Sequence, residues 1–170
     1  MRPDLSRVGE WYHGYIQKVP ENEIMEAFSN QTASFLRFLE SVPADKYDYR
    51  YAPDKWTIRE VLQHVIDAER VFAYRALRFA RFDHTPLHGF DENLFAENAR
   101  AASRPWDRLV EEFKAVRRAS ELMFSSFDEE QLQANGTASG SPSYVLAVGY
   151  TLIGHALHHQ QVTKERYLGK

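Results

Sequence analysis

The seven histidines are the residues with the most to say about chemistry, because the sequence contains no cysteine. Without a thiol there is no disulfide framework, no thiolate nucleophile and no thiolate-bound zinc or iron–sulfur site. Any metal must therefore rest on His, Asp or Glu. His155 and His159 are spaced i, i+4, which stacks two rings on one helix face within reach of a single ion, as in helical zinc motifs. At 100° per residue, Tyr144, Val148, Leu152, His155, His159 and Val162 fall within about one third of a helix circumference, so the pair sits in an apolar stripe. His64 stands in the middle of a second stripe with Thr57, Val61, Ala68 and Val71. A single core histidine is commonly a hydrogen-bonded structural residue. Three inward imidazoles without paired carboxylates are costly unless something satisfies their nitrogens, and one divalent ion does so. Three neutral ligands leave that ion its full charge and at least one open position, the arrangement of a catalytic site.

The other histidines read more plainly. His158 lies about 100° from His159, at the edge of the stripe, and is expected to pack beside the ligands. His84 and His88 flank Pro86 in a loop, where histidine is usually solvated, and His13 has no partner in sequence. Glu60 and Asp67, at i−4 and i+3 from His64, are the nearest acidic residues on its helix and are expected to orient ligand rings, unless they are simply solvated charges. No nucleophile elbow and no phosphate-binding glycine loop occurs.

Four helical segments must carry these residues. Apolar positions Ile24, Phe28, Phe35, Phe38, Leu39 and Val42 return to one face of a helix over Glu21–Val42, with Pro20 to open it and Pro43 to close it. After the tyrosine-rich stretch Ala44–Lys55, Thr57 and Glu60 form a capping box, and a second helix runs from Thr57 to about Phe82. The segment DHTPLHGFDENLFAENARAAS reads as a long irregular crossover with one helical turn near Glu92–Asn98. A third helix covers about Pro105–Phe127, its core face formed by Leu109, Phe113, Val116, Leu122, which is one step off the stripe, and Phe127. Residues Ala134–Pro142 break the pattern, and Ser141 with Pro142 caps a fourth helix that reaches Tyr167. The expectation is all-α: a four-helix bundle with a long crossover between the second and third helices, in a single domain over residues 1–170.

The bulk properties narrow the function. The 170 residues carry 21 Lys+Arg against 24 Asp+Glu, a net charge of −3, so no positive field draws the protein to nucleic acid or anionic lipid. MRPDLSRVGEWYHGYIQKVP has no apolar run of the kind a signal peptide needs. The longest apolar stretch, Tyr144–Gly154, is far short of the roughly 20 residues of a membrane span. A soluble, cytoplasmic protein is expected, without nucleic acid or membrane as partner.

KWTIREVLQHVIDAER, followed near the C-terminus by GHALHHQQVTKERYL, resembles the DinB-like superfamily, and the likeness extends to RALRFAR, TPLHGFDEN and EWYHGYI. The resemblance implies a four-helix bundle, often homodimeric, in which one histidine of the second helix and two of the last hold a divalent metal such as zinc or nickel. The matching positions are His64, His155 and His159. Relatives include thiol-dependent S-transferases, among them bacillithiol S-transferases, and isomerases. It therefore implies a metal-dependent enzyme that activates water or a low-molecular-weight thiol against a small electrophilic substrate, as a hydrolase or transferase. The alternative is a non-catalytic binding or stress-response protein whose metal stabilises the bundle. For the ligands to meet, the second and fourth helices must run broadly antiparallel. A pocket rimmed by Trp56 with the Tyr47–Tyr51 loop, by GFDENLF, or by both is then expected over the metal.

Overall fold

The computed structural model describes residues 1–169. A short N-terminal helix, α1 (His13–Lys18), precedes α2 (Ile24–Glu40) and α3 (Ile58–Ala80); α4 (Glu92–Asn98) lies in the crossover before α5 (Trp106–Ser125). Then follow the single turn α6 (Glu129–Gln133), a hairpin of β1 (Asn135–Ala138) and β2 (Ser141–Tyr144), and α7 (Val145–Val162), which widens into a π-helical turn over Thr163–Tyr167. The four long helices α2, α3, α5 and α7 are those the periodicity predicts, and the crossover joins the second to the third.

Local chemistry explains most boundaries. The Thr57 hydroxyl accepts from the Glu60 amide while Glu60 reaches back to the Thr57 amide, so the capping box starts α3 one residue after Thr57. Asp128 and Gln131 form a second capping box at α6, while Asp91 caps α4 by accepting from the Asn93 and Leu94 amides.

The start of α7 departs from expectation. Ser141 and Pro142 do not cap a helix; they belong to β2, which pairs antiparallel with β1 from Asn135 opposite Tyr144 to Ala138 opposite Ser141. The connecting residues Ser139 and Gly140 both have positive φ, +53° and +74°, the two-residue turn whose twist suits a hairpin. The crossover adds a parallel bridge: the Leu87 amide donates to the Thr137 carbonyl (2.9 Å) and the Ser139 amide to the Leu87 carbonyl (3.0 Å). On the other edge, the Gly9 amide donates to the Pro142 carbonyl at 3.0 Å.

Helix α7 is the centre of the bundle. Every residue from Val145 to Ala156 is buried, so the helix is covered all round rather than along one stripe. Helix α1 packs against it at Gly154, where a Cβ would stand 2.0 Å from the Tyr15 carbonyl oxygen; only glycine allows the two backbones to meet so closely. Helices α2, α3 and α5 cover the rest. The core face of α5 is Leu109, Phe113, Arg117, Ser120 and Phe124, with Phe127 just beyond; Leu122, expected in it, is 53% exposed because it lies off that stripe. Arg117 is fully buried and donates from Nε and Nη2 to the two carboxylate oxygens of Glu69 at 2.8 and 2.9 Å, while Nη1 bonds Gln31 and Thr32.

Candidate metal centre

His64 lies two turns into α3, His155 and His159 in the second half of α7. The later part of α3 meets the hairpin that precedes α7, with Phe79 against Gly136. The two helices therefore run antiparallel, and all three imidazoles converge. His155 Nε2 is central, 3.0 Å from His64 Nε2 and 3.2 Å from His159 Nε2. The ligand atoms of the three lie within 4.8 Å of one another. Two nitrogens sharing one tetrahedral zinc ion at 2.0–2.1 Å would stand about 3.3 Å apart, so the donor set fits a single divalent ion. Among the described residues no further His, Asp or Glu joins this group.

Burial keeps the imidazoles neutral, as ligands must be. It pulls His64 down to about 4, with His158 adding a smaller repulsive effect. His155 and His159 are held well below the ordinary histidine value, first by burial and then by the neighbouring imidazoles. An unfolded imidazole titrates near 6.5, so between about pH 6.5 and 4 the unfolded chain binds protons that the folded chain refuses. Above pH 6.5 both states are neutral and these groups contribute no slope. The metal-free protein should therefore lose stability as pH falls below 6.5, by up to about 1.4 kcal/mol per pH unit for each histidine. Urea midpoints in the presence of a chelator at pH 7 and pH 5 check this; equal midpoints would refute it.

The acidic residues expected to orient the rings do not do so. Glu60 is engaged in the capping box and faces Arg50 at 3.8 Å. Asp67 accepts from Gln63 at 3.0 Å and lies 3.6 Å from Arg70, on the face of α3 turned toward α5. Their i−4 and i+3 positions put them on the helix of His64, but local partners claim both. Aromatic rings set the imidazoles instead: Trp56 lies 4.7 Å from His64, Phe72 5.7 Å and Tyr15 5.5 Å from His155. Trp56 is itself held by the Tyr167 hydroxyl, which donates to its carbonyl at 2.8 Å.

The triad opens into a cavity of about 520 Å³. Trp56 and the crossover residues Phe90 and Glu92 contribute to its wall, as the sequence leads one to expect. The tyrosines of the Tyr47–Tyr51 loop do not reach it; Tyr47 stacks on Trp106 and Tyr51 meets Tyr167. Trp11, Tyr12 and Tyr15 of the N-terminal segment, with Arg75 of α3 and Ser139 and Ser141 of the hairpin, complete the lining. The sequence reading missed these residues. A signal was available in the aromatic run EWYHGYI, and in the position of Arg75 on the α3 face that also carries His64, Ala68 and Phe72. His158 also lines the cavity, half-buried, 5.5 Å from Tyr15. His13 is spent on the Val8 carbonyl at 2.9 Å, and His84 and His88 are exposed.

A model of the DinB superfamily matches residues 27–162, which include most of α2, all of α3, α5 and α7, and the three histidines. Among solved structures, YfiT from Bacillus subtilis superposes with a TM-score of 0.72 over 97% of this chain and 93% of that one, at 14% sequence identity. It is described as a probable metal-dependent hydrolase with an unusual four-helix bundle topology. No curated protein matches the sequence. No helix among the described residues is long and apolar enough to cross a membrane.

Proposed function

Since the chain belongs to the DinB superfamily, we propose that it is a divalent-metal-dependent enzyme of the hydrolase type, with His64, His155 and His159 as the ligands of one ion. The observation that carries this reading is the roughly 520 Å³ cavity opening directly onto three neutral, convergent imidazoles. A structural metal would be closed by a fourth protein ligand, and no candidate for one stands in the group among the described residues. Zinc or nickel suits an all-imidazole donor set. Such an ion would supply Lewis acidity, ionising a water molecule or a small thiol near neutral pH.

The chain's own residues have three tasks. The triad fixes the ion's position on two rigid helices. The rings of Trp11, Tyr15, Trp56 and Phe72 enclose the apolar part of a small substrate and thin out the surrounding water. His158, the remaining imidazole on the wall, takes the proton that the attacking group gives up. Hydrolysis is favoured over thiol transfer by the description of YfiT as a probable metal-dependent hydrolase. Thiol transfer is the second reading, from the resemblance to S-transferases.

The test is metal analysis of protein purified without an affinity tag, followed by two assays on zinc- or nickel-loaded and chelated protein. One follows hydrolysis of small esters, lactones and amides; the other follows conjugation of low-molecular-weight thiols with an aryl halide. Turnover in the first that disappears on chelation is the expected result. Turnover only in the second moves the assignment to transferase. Stoichiometric metal with neither activity favours a metal that merely stabilises the bundle.

A further inference from the structure

The bundle buries two arginines, Arg117 at 1% and Arg75 at 4% exposure, and provides for them in opposite ways. Arg117 has a complete counter-ion in Glu69, held through two hydrogen bonds. Arg75 has none. Both of its hydrogen bonds leave from Nη2, one to the Ser139 hydroxyl at 2.8 Å and one to the His88 carbonyl at 3.4 Å, and the Tyr12 hydroxyl stands beside it. All three neighbours are neutral, and among the described residues no carboxylate pairs with it. A guanidinium has five N–H donors and keeps its charge at any physiological pH, so withdrawing it from water without a counter-ion is costly.

Its position says what the missing counter-ion is. Arg75 lines the same cavity as the histidines. The Phe72 ring neighbours both, with its centroid 5.7 Å from the His155 ring and 5.7 Å from the guanidinium carbon. The hydroxyl that steadies Arg75 comes from Ser139, whose φ of +53° is unfavourable for any residue with a side chain. A strained turn thus holds a buried, unpaired cation on a cavity wall.

We propose that the substrate is an organic carboxylate whose carboxylate group pairs with Arg75, leaving the carbon to be attacked facing the three histidines beside Phe72. This specifies the substrate class of the enzyme reading above and rests on it. A carboxylate matches the guanidinium in both charge and fork geometry. At the Arg75 seat itself, away from the ion, a phosphate ester would bring more negative charge than one guanidinium offsets, near a mouth that carries the exposed Glu92. Because both groups border the Phe72 ring, one small molecule can reach from the guanidinium to the histidines.

Phenylacetate and its neutral counterpart phenylacetamide distinguish the charge from the ring. Calorimetry on the metal-free protein removes the ion as a rival seat for the carboxylate. Phenylacetate is expected to bind about tenfold to a hundredfold more tightly than the amide, with the preference lost in Arg75→Gln and partly kept in Arg75→Lys. Because Arg75→Gln orphans no carboxylate, its melting temperature should not fall. Should the variant nevertheless fail to fold, the Arg75 Nε–H resonance of the unmodified chain decides: it should shift with phenylacetate and not with phenylacetamide. Equal binding of the two compounds overturns the proposal, as does a preference that survives Arg75→Gln or appears only with metal. Inorganic phosphate binding more tightly than phenylacetate overturns the choice of carboxylate. If the protein takes up no zinc yet shows the Arg75-dependent preference, the metal reading fails while this one stands; stoichiometric zinc with no preference is the reverse.

Discussion

Replacing His155 by alanine is expected to abolish stoichiometric metal binding while leaving the helix content unchanged. His155 Nε2 is the shared neighbour of the other two, at 3.0 and 3.2 Å, so its removal leaves His64 and His159 without the atom that links them. Loss even of an outer-shell partner costs on the order of 10- to 100-fold in metal affinity, and loss of a direct ligand should cost at least the upper figure. His159→Ala is expected to behave similarly. The fold should survive, because α7 is buried throughout from Val145 to Ala156 and every residue of that stretch other than His155 keeps its packing. Metal content by mass spectrometry, with far-ultraviolet circular dichroism on the same samples, gives both readouts. Full occupancy in both single variants would end the assignment of these residues as ligands.

The second large effect lies in the core. Glu69→Ala should destabilise the protein by about 3–5 kcal/mol, because it leaves the guanidinium of Arg117 buried without its carboxylate. That guanidinium is also flanked by the rings of Phe28 and Phe113, at 5.6 and 5.1 Å, which cannot replace an anion. Removing both charges together, as Glu69→Leu with Arg117→Met, should recover most of the loss, since apolar residues of similar volume carry no desolvation cost. Denaturant unfolding of the three chains is the measurement. A single Glu69→Ala variant within about 1 kcal/mol of the parent would mean that water reaches the pair, because only exposed ion pairs are worth so little.

The candidate centre was more legible than its surroundings. The i, i+4 pair at His155 and His159 and the lone His64 follow from helical geometry, which depends on spacing alone. The capping box at Thr57 and Glu60 is equally local. What escaped depends on partners remote in sequence. Helix α1 has only six residues, too few to form without support, and its support is the bare backbone at Gly154. The hairpin pairs residues such as Ser141 and Pro142, which have little strand propensity; it persists because Leu87 and Gly9 flank it. Arg117 falls on the stripe between Phe113 and Phe124, but a charged residue reads as solvent-facing until Glu69 is known to oppose it. Glu60 and Asp67 show the converse error, in which closeness along one helix was taken for contact.

The hairpin's neighbours also bear on the order in which the molecule is assembled. Its two edges are hydrogen-bonded to Gly9 and Leu87, so three stretches of chain, separated by dozens of residues, must come together before that wall of the cavity exists. Closing loops of such length is entropically slow compared with winding a helix. The histidines need only α3 and α7 side by side, whereas the substrate chamber needs the N-terminal segment, the crossover and the hairpin as well. Bringing His64 to His155 itself spans 91 residues, so the metal centre and the chamber wall depend alike on contacts remote in sequence, and winding the helices alone yields neither.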